Sequence, residues 1–201
     1  MWLTRGGVGS DGADDVAHAL LRAVSRLVST PGAGMSADTA RTSACATSDT
    51  VVIGVGNTIL SDDGAGVHAA RLLQGDPRVP AGVTILDGGT LGIELVPYAS
   101  DASRVLFLDA VNSGAAPGTL TRMTGRDLLG TSGGWSVHQL GVADLIAALA
   151  LVSAGPQDIV VLGVQPAHTD WGTSLSPDVE SALSGLVDKA LAQLQLWKES
   201  E

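Results

Sequence analysis

A chain of 201 residues that is 45% hydrophobic but only 3% aromatic must build its core from Val, Leu, Ile and Ala, which suits a largely parallel sheet covered on both faces. The net charge of −10, with no basic run anywhere, argues against a nucleic-acid partner, because neutralising phosphates takes clustered Lys and Arg. The single cysteine, Cys45, allows no internal disulfide and no cysteine-built zinc site. The longest apolar stretch, about Leu145 to Val152, is too short to cross a bilayer. Asp11, Asp14 and Asp15 stand where a signal peptide carries positive charge. The expected setting is the cytoplasm, without membrane insertion.

Residues 1–49 read as an N-terminal extension. In "DVAHALLRAVSRLVS", Ala17, Leu20, Leu21, Val24, Leu27 and Val28 recur at helical spacing, which predicts an amphipathic helix over about 14–29. The small polar residues that follow read as a disordered linker. A start of translation at Met35 would make that helix incidental, and both readings stay open. Cys45, in the polar linker with no base nearby, is not expected to be a nucleophile.

From Thr50 the pattern is regular and marks one domain, 50–201. Strands are expected at Val51–Val55, Val83–Asp87, Arg104–Asp109, Thr119–Thr124 and Ile159–Val164. Helices are expected over Asp62–Gln74, Leu91–Ala99 and Gln139–Val152, the last buried on most sides. A final helix opens at Ser176-Pro177-Asp178, with serine as N-cap and acidic residues at the positive end, and runs to about Trp197. Strands alternating with helices predict an α/β fold: a three-layer sandwich in which a mostly parallel twisted sheet of about five strands is flanked by helices on both faces.

"VVIGVGNTILSDDGAGVHAARLL" begins like a dinucleotide fingerprint. Gly54 and Gly56 fit G-x-G-x-x-G, but Ile59 occupies the third position. Asp62 and Asp63, near the start of the following helix, would repel a pyrophosphate. Gly64 and Gly66 leave room for a backbone or a ligand to come close. Two carboxylates beside a crevice suit a cation better than a nucleotide. In an open α/β sheet, sites form outside the carboxyl ends of the strands. Asp87 and Asp109 end two predicted strands there, and His138 precedes the apolar helix. Asp and His are suitable ligands for zinc or nickel. Duller readings stand beside these. Asp87, before Gly88-Gly89, can simply cap a turn, and His138 can cap its helix. His68 is read as a solvent or packing residue, and His18 and His168 receive no role. Trp135 and Trp171, in predicted loops, are either partner anchors or covers for local core.

"GVGNTILSDDGAGVHAARLL", "ILDGGTLGIEL", "LFLDAV", "PGTL" and "VHQLGVADLIAAL", in this order, resemble the [NiFe]-hydrogenase maturation endopeptidases over about Thr50 to Trp197. The resemblance implies cleavage of a C-terminal extension from the precursor of the hydrogenase large subunit after nickel has been inserted there. It implies a twisted sheet between helices. It also implies that Asp63, Asp109 and His138 are the metal-contacting and catalytic positions, with nickel carried by the precursor. Asp87, Gly88, Gly89 and Thr90 match a family motif near the cleft and are expected to shape substrate binding.

Two roles for the metal follow from that resemblance. It is either a mark of a loaded substrate, the favoured reading, or a Lewis acid that also assists hydrolysis. No H-E-x-x-H helix and no Ser/His/Asp elbow is present, and Asp63 or Asp109, the acidic positions that the resemblance implies, can instead serve as a base toward water. A rival of another class is a non-catalytic chaperone or metal checkpoint that docks on a hydrogenase subunit. A nucleotide-binding oxidoreductase ranks third.

Overall fold

The computed structural model describes residues 49–130, 140–151 and 155–200. The expected amphipathic helix, the linker and Met35 lie outside the described residues, as do Trp135 and His138.

Five strands form one sheet: β1 (Thr50–Val55), β2 (Val83–Gly89), β3 (Arg104–Ala110), β4 (Leu120–Thr124) and β5 (Asp158–Val164). Their spatial order is β2-β1-β3-β5-β4. β2, β1, β3 and β5 run parallel, and β4 closes one edge antiparallel to β5. The expected fold is therefore present. The central strands are β-branched or leucine-rich and buried on both faces. Val52, Leu106, Leu108, Val160 and Leu162 point to one side and Val51, Ile53, Val105, Phe107 and Val161 to the other. That alternation divides the core in two, as strand geometry requires.

On the first face lie α1 (Ala65–Gln74) and the long α5 (Pro177–Glu199), contributing Ala69, Leu73, Leu186, Leu194 and Trp197. On the second lie the short α2 (Val96–Ala99), α3 (Gly125–Gly130) and α4 (Leu140–Leu151). The start of α5 is built as its sequence indicates: Ser176 Oγ accepts from Val179 N, Pro177 takes the first helical position, and Asp178 and Glu180 occupy the first turn.

Four local expectations are corrected. The helix expected from Asp62 opens as a 3-10 turn, Ser61–Gly64, and becomes α-helical only at Ala65. The helix expected at Leu91–Ala99 likewise begins as a 3-10 turn, Gly92–Leu95, before α2. Helix α3 was not expected. It carries a capping pair in which the Asp127 carboxylate accepts from Thr124 N and Oγ while Asp127 N donates back to Thr124 Oγ, the reciprocal arrangement of a capping box. Finally, α4 is not buried on most sides. Val142, Leu145, Ile146 and Leu149 form one buried stripe, while Asp144, Ala147, Ala150 and Leu151 are exposed.

Strand β1 has β2 on one side and β3 on the other, and the chain crosses over β1 between them. This is a topological switch point, and loops leaving the carboxyl ends of β1 and β3 diverge to form a crevice there.

Candidate functional site

The loop after β1 is held against the sheet by glycines. A Cβ on Gly66 would stand 2.1 Å from the Leu108 carbonyl oxygen and 2.5 Å from that of Val55. The start of α1 is thus pressed onto the ends of β1 and β3. Gly56, with φ 129, would place a Cβ 1.8 Å from the Asp63 carbonyl. The close approach anticipated at Gly66 is made by backbone, and this packing sets where Asp62 and Asp63 point.

The two neighbouring carboxylates go to different places. Asp62 is fully buried. Its Oδ1 accepts from Ser176 N at 2.6 Å, and its Oδ2 from Ser176 Oγ at 2.8 Å, Ala167 N at 2.9 Å and His168 N at 3.3 Å. Burial pushes its pKa up, but the hydrogen bonds from Ser176, Ala167 and His168 together outweigh it and hold the carboxyl below its usual range. Asp62 is a clamp between the first loop and the segment joining β5 to α5.

Asp63 is half-buried, and its Oδ2 accepts from Asn57 N at 2.8 Å. It lines a cleft of about 230 Å³ together with Ala110, Asn112, Gln165, Pro166, Ala167, His168 and Thr169. Gln165 braces the far wall. Its Oε1 accepts from Ser113 N and Oγ, and its Nε2 donates to Asn112 Oδ1 and the Pro166 carbonyl. The cleft is smaller than the roughly 300–1,000 Å³ of pockets that enclose drug-sized ligands. It suits a short stretch of chain better than a dinucleotide.

Asp109 ends β3 and is 5% exposed. Its Oδ1 accepts from Ala110 N at 2.8 Å. Burial pushes its pKa well above the usual carboxylate range. The Ala110 amide opposes that rise, and the negative charge of Asp63 adds to it. The two acidic groups therefore lie close enough to feel each other at the switch point. Asp109 also borders a small apolar void, about 10 Å³, with Val111, Met123, Leu128, Val142, Ala143 and Val161.

Among the described residues, no three His, Cys, Asp or Glu side chains gather closely enough to cage a metal ion. His138, the third expected ligand, lies outside the described residues. Asp87 stands at the carboxyl end of β2, one strand over from Asp63. It is exposed and bound through Oδ2 to Arg71 Nε and Nη2 at 3.0 and 2.7 Å. Gly88 is buried against Ile53 and Leu95, the Gly89 carbonyl accepts from Gly56 N, and Thr90 is exposed.

The sequence reading assigned no role to His168 and none individually to Asp62, Asn112 or Gln165. The signal for His168 and Gln165 was their place just past the carboxyl end of β5. For Asp62 there was none, since nothing in "SDDG" says which aspartate turns inward.

Fold and cleft together define an α/β protein with a paired-carboxylate site at its switch point, on a loop whose glycines pack backbone instead of cradling phosphate. Residues 67–193 match the model of the hydrogenase maturation protease family, and the chain belongs to that family. It is 35% identical over 150 residues to the hydrogenase expression/formation protein HupD of Rhodobacter capsulatus, covering 73% of this chain and 71% of that one. It is 33% identical over 147 residues to the hydrogenase 2 maturation protease of Escherichia coli, covering 72% and 90%. The solved structure of the Escherichia coli maturating endopeptidase HybD superposes with a TM-score of 0.65 at 32% identity, over 73% of this chain and 91% of that one. The protein is a hydrolase, a hydrogenase maturation endopeptidase.

Proposed function

We propose that this endopeptidase removes the C-terminal extension of the [NiFe]-hydrogenase large-subunit precursor, and that it acts only after nickel has been inserted there. The observation that carries the reading is Asp63, which faces a cleft sized for a short peptide and whose negative charge reaches the buried Asp109 at the end of β3.

Nickel is cargo of the substrate in this scheme. Asp63, Asp109 and His138 are the residues proposed to contact it. Two carboxylates and an imidazole make a hard-to-borderline donor set suited to completing nickel coordination. The metal serves as the mark of a loaded substrate. In hydrolysis, water adds to the scissile carbonyl carbon and gives its proton to one of the two carboxylates, and the amine leaves protonated. The Asp87–Thr90 turn is proposed to contact the precursor beside this cleft, and the setting proposed for the reaction is the cytoplasm.

The test is the mass of the precursor's C-terminus after incubation with the purified protein. Nickel-loaded precursor should be shortened and nickel-free precursor left intact. His138→Ala should fold normally and leave the loaded precursor uncut. A wild-type protein that binds the precursor without shortening it would favour the chaperone reading instead.

A further inference from the structure

Trp171 is 82% exposed, more than any other large apolar side chain among the described residues. Water contact on that scale is unfavourable for a ring that can bury 150–250 Å² against a partner. Its backbone is nevertheless held on both sides. The Asp170 carbonyl accepts from Ser61 Oγ at 3.0 Å, the Gly172 carbonyl accepts from Ser61 N at 2.8 Å, and Gly172 N donates to the Ile59 carbonyl at 3.0 Å.

Ser61 does this from a left-handed conformation, φ 48, the one non-glycine residue so placed among the described residues. Backbone in that region is strained for a residue with a side chain and persists only where its surroundings enforce it. The amide and the hydroxyl of the strained residue thus secure the neighbours of Trp171. The same segment, one turn earlier, forms the far wall of the Asp63 cleft through Pro166, Ala167, His168 and Thr169. Ile59, 49% exposed, sits on the strand of chain bonded to it.

We infer that Trp171 is a substrate-docking residue: it anchors the polypeptide of the precursor protein that flanks the bond being cut. A rigid aromatic on fixed backbone contributes contact area at low ordering cost, and such residues dominate binding energy in protein interfaces. The occupant is a polypeptide because the segment continues directly from a cleft that, in a protease, must receive one. This inference rests on the precursor being the substrate.

The experiment compares wild type, Trp171→Ala, Trp171→Phe and Leu196→Ala on nickel-loaded precursor. Steady-state cleavage and the Kd of the precursor by surface plasmon resonance are measured for each. Leu196 is 61% exposed and lies at the opposite end of the sheet, beside Trp197, which bonds Asp158 at the start of β5. It controls for loss of any exposed apolar side chain. Trp171→Ala should melt like wild type, raise KM and Kd at least tenfold, and leave kcat within twofold. Trp171→Phe should fall between the two, and Leu196→Ala should match wild type. Unchanged KM and Kd in Trp171→Ala, or an equal rise in Leu196→Ala, overturns the inference. Wild type that binds but does not cut overturns the assigned activity alone, and Kd still decides the role of Trp171. Wild type that neither binds nor cuts overturns both.

Discussion

Adjacent aspartates do opposite work because the turn between β1 and α1 points one inward and one outward. Asp62, with no exposed surface and four hydrogen bonds, is a structural anion. Asp62→Ala leaves the Ala167, His168 and Ser176 amides without their acceptor, and should cost about 3 kcal/mol or more, since each buried donor orphaned costs about 1–3 kcal/mol. Asp63→Asn keeps an acceptor for Asn57 N, so urea unfolding should shift by less than about 1 kcal/mol while cleavage falls at least about a hundredfold. Equal stability losses in the two variants would contradict this division. Asp109 gives a third pattern. Its pKa is raised in the folded state, so between the unfolded carboxyl pKa of about 3.9 and the raised folded value the native protein binds more protons than the unfolded one. Stability contributed by this group therefore falls as pH rises through that window. Asp109→Asn has no such titration. Measured on metal-free protein, the variant should gain on wild type in unfolding free energy as pH climbs above about 4, while losing cleavage activity.

At the scale of elements, the glycines of the first motif fix how close α1 comes to the sheet. Alanine normally stabilises a helix by about 1 kcal/mol relative to glycine. At Gly66 the sign should reverse, because the new methyl would stand 2.1 Å from the Leu108 carbonyl. Gly66→Ala should lower the urea midpoint strongly or prevent folding. Gly75→Ala, at the end of the same helix with nothing within 4 Å, should leave the midpoint within about 0.5 kcal/mol, the usual range for a surface change. Such effects mark the limit of what the sequence carries. Apolar runs located β1, β2, β3 and β5, because burial between two helical layers leaves few alternatives to Val, Ile and Leu, whereas β4, "LTRMT", was placed by the Pro117-Gly118 turn before it. The positions of the candidate carboxylates were legible because they follow from strand ends: Asp109 closes β3 and Asp63 follows β1. The burial of Asp62, the strap at 166–172 and the strain at Ser61 depend on contacts more than a hundred residues apart in the chain, which no local pattern records. Helix α4 was misread for a related reason. Ala147 and Ala150 look apolar in sequence, yet face solvent because the Val142–Leu149 stripe alone meets the sheet.

The whole molecule divides its labour along the strand axis. Among the described residues, every group assigned to substrate lies at or just past the carboxyl ends of the parallel strands. The opposite end is occupied by packing and by the bond from Trp197 Nε1 to Asp158 Oδ2 at 2.7 Å, made by a side chain that is 5% exposed. A hydrogen bond to a carboxylate contributes about 1.5–3 kcal/mol, and Trp197 also fills the α5 side of the core. Trp197→Phe removes the donor and part of the ring. It should lower the melting temperature by about 3–12 °C, given roughly 2–4 °C per kcal/mol in a chain of this size. If stability and reaction are seated at opposite ends, kcat and KM below the melting transition should match wild type within about twofold. Stiffness could instead be transmitted along β5, which starts at Asp158 and leads into Gln165 and the cleft wall. Trp197→Phe would then raise KM well below the melting transition. Because β5 is paired with β3 from Asp158 to Val164 and with β4 as well from Val160 onward, loss of one bond at its start should be absorbed before it reaches the cleft wall, and the kinetic constants should hold.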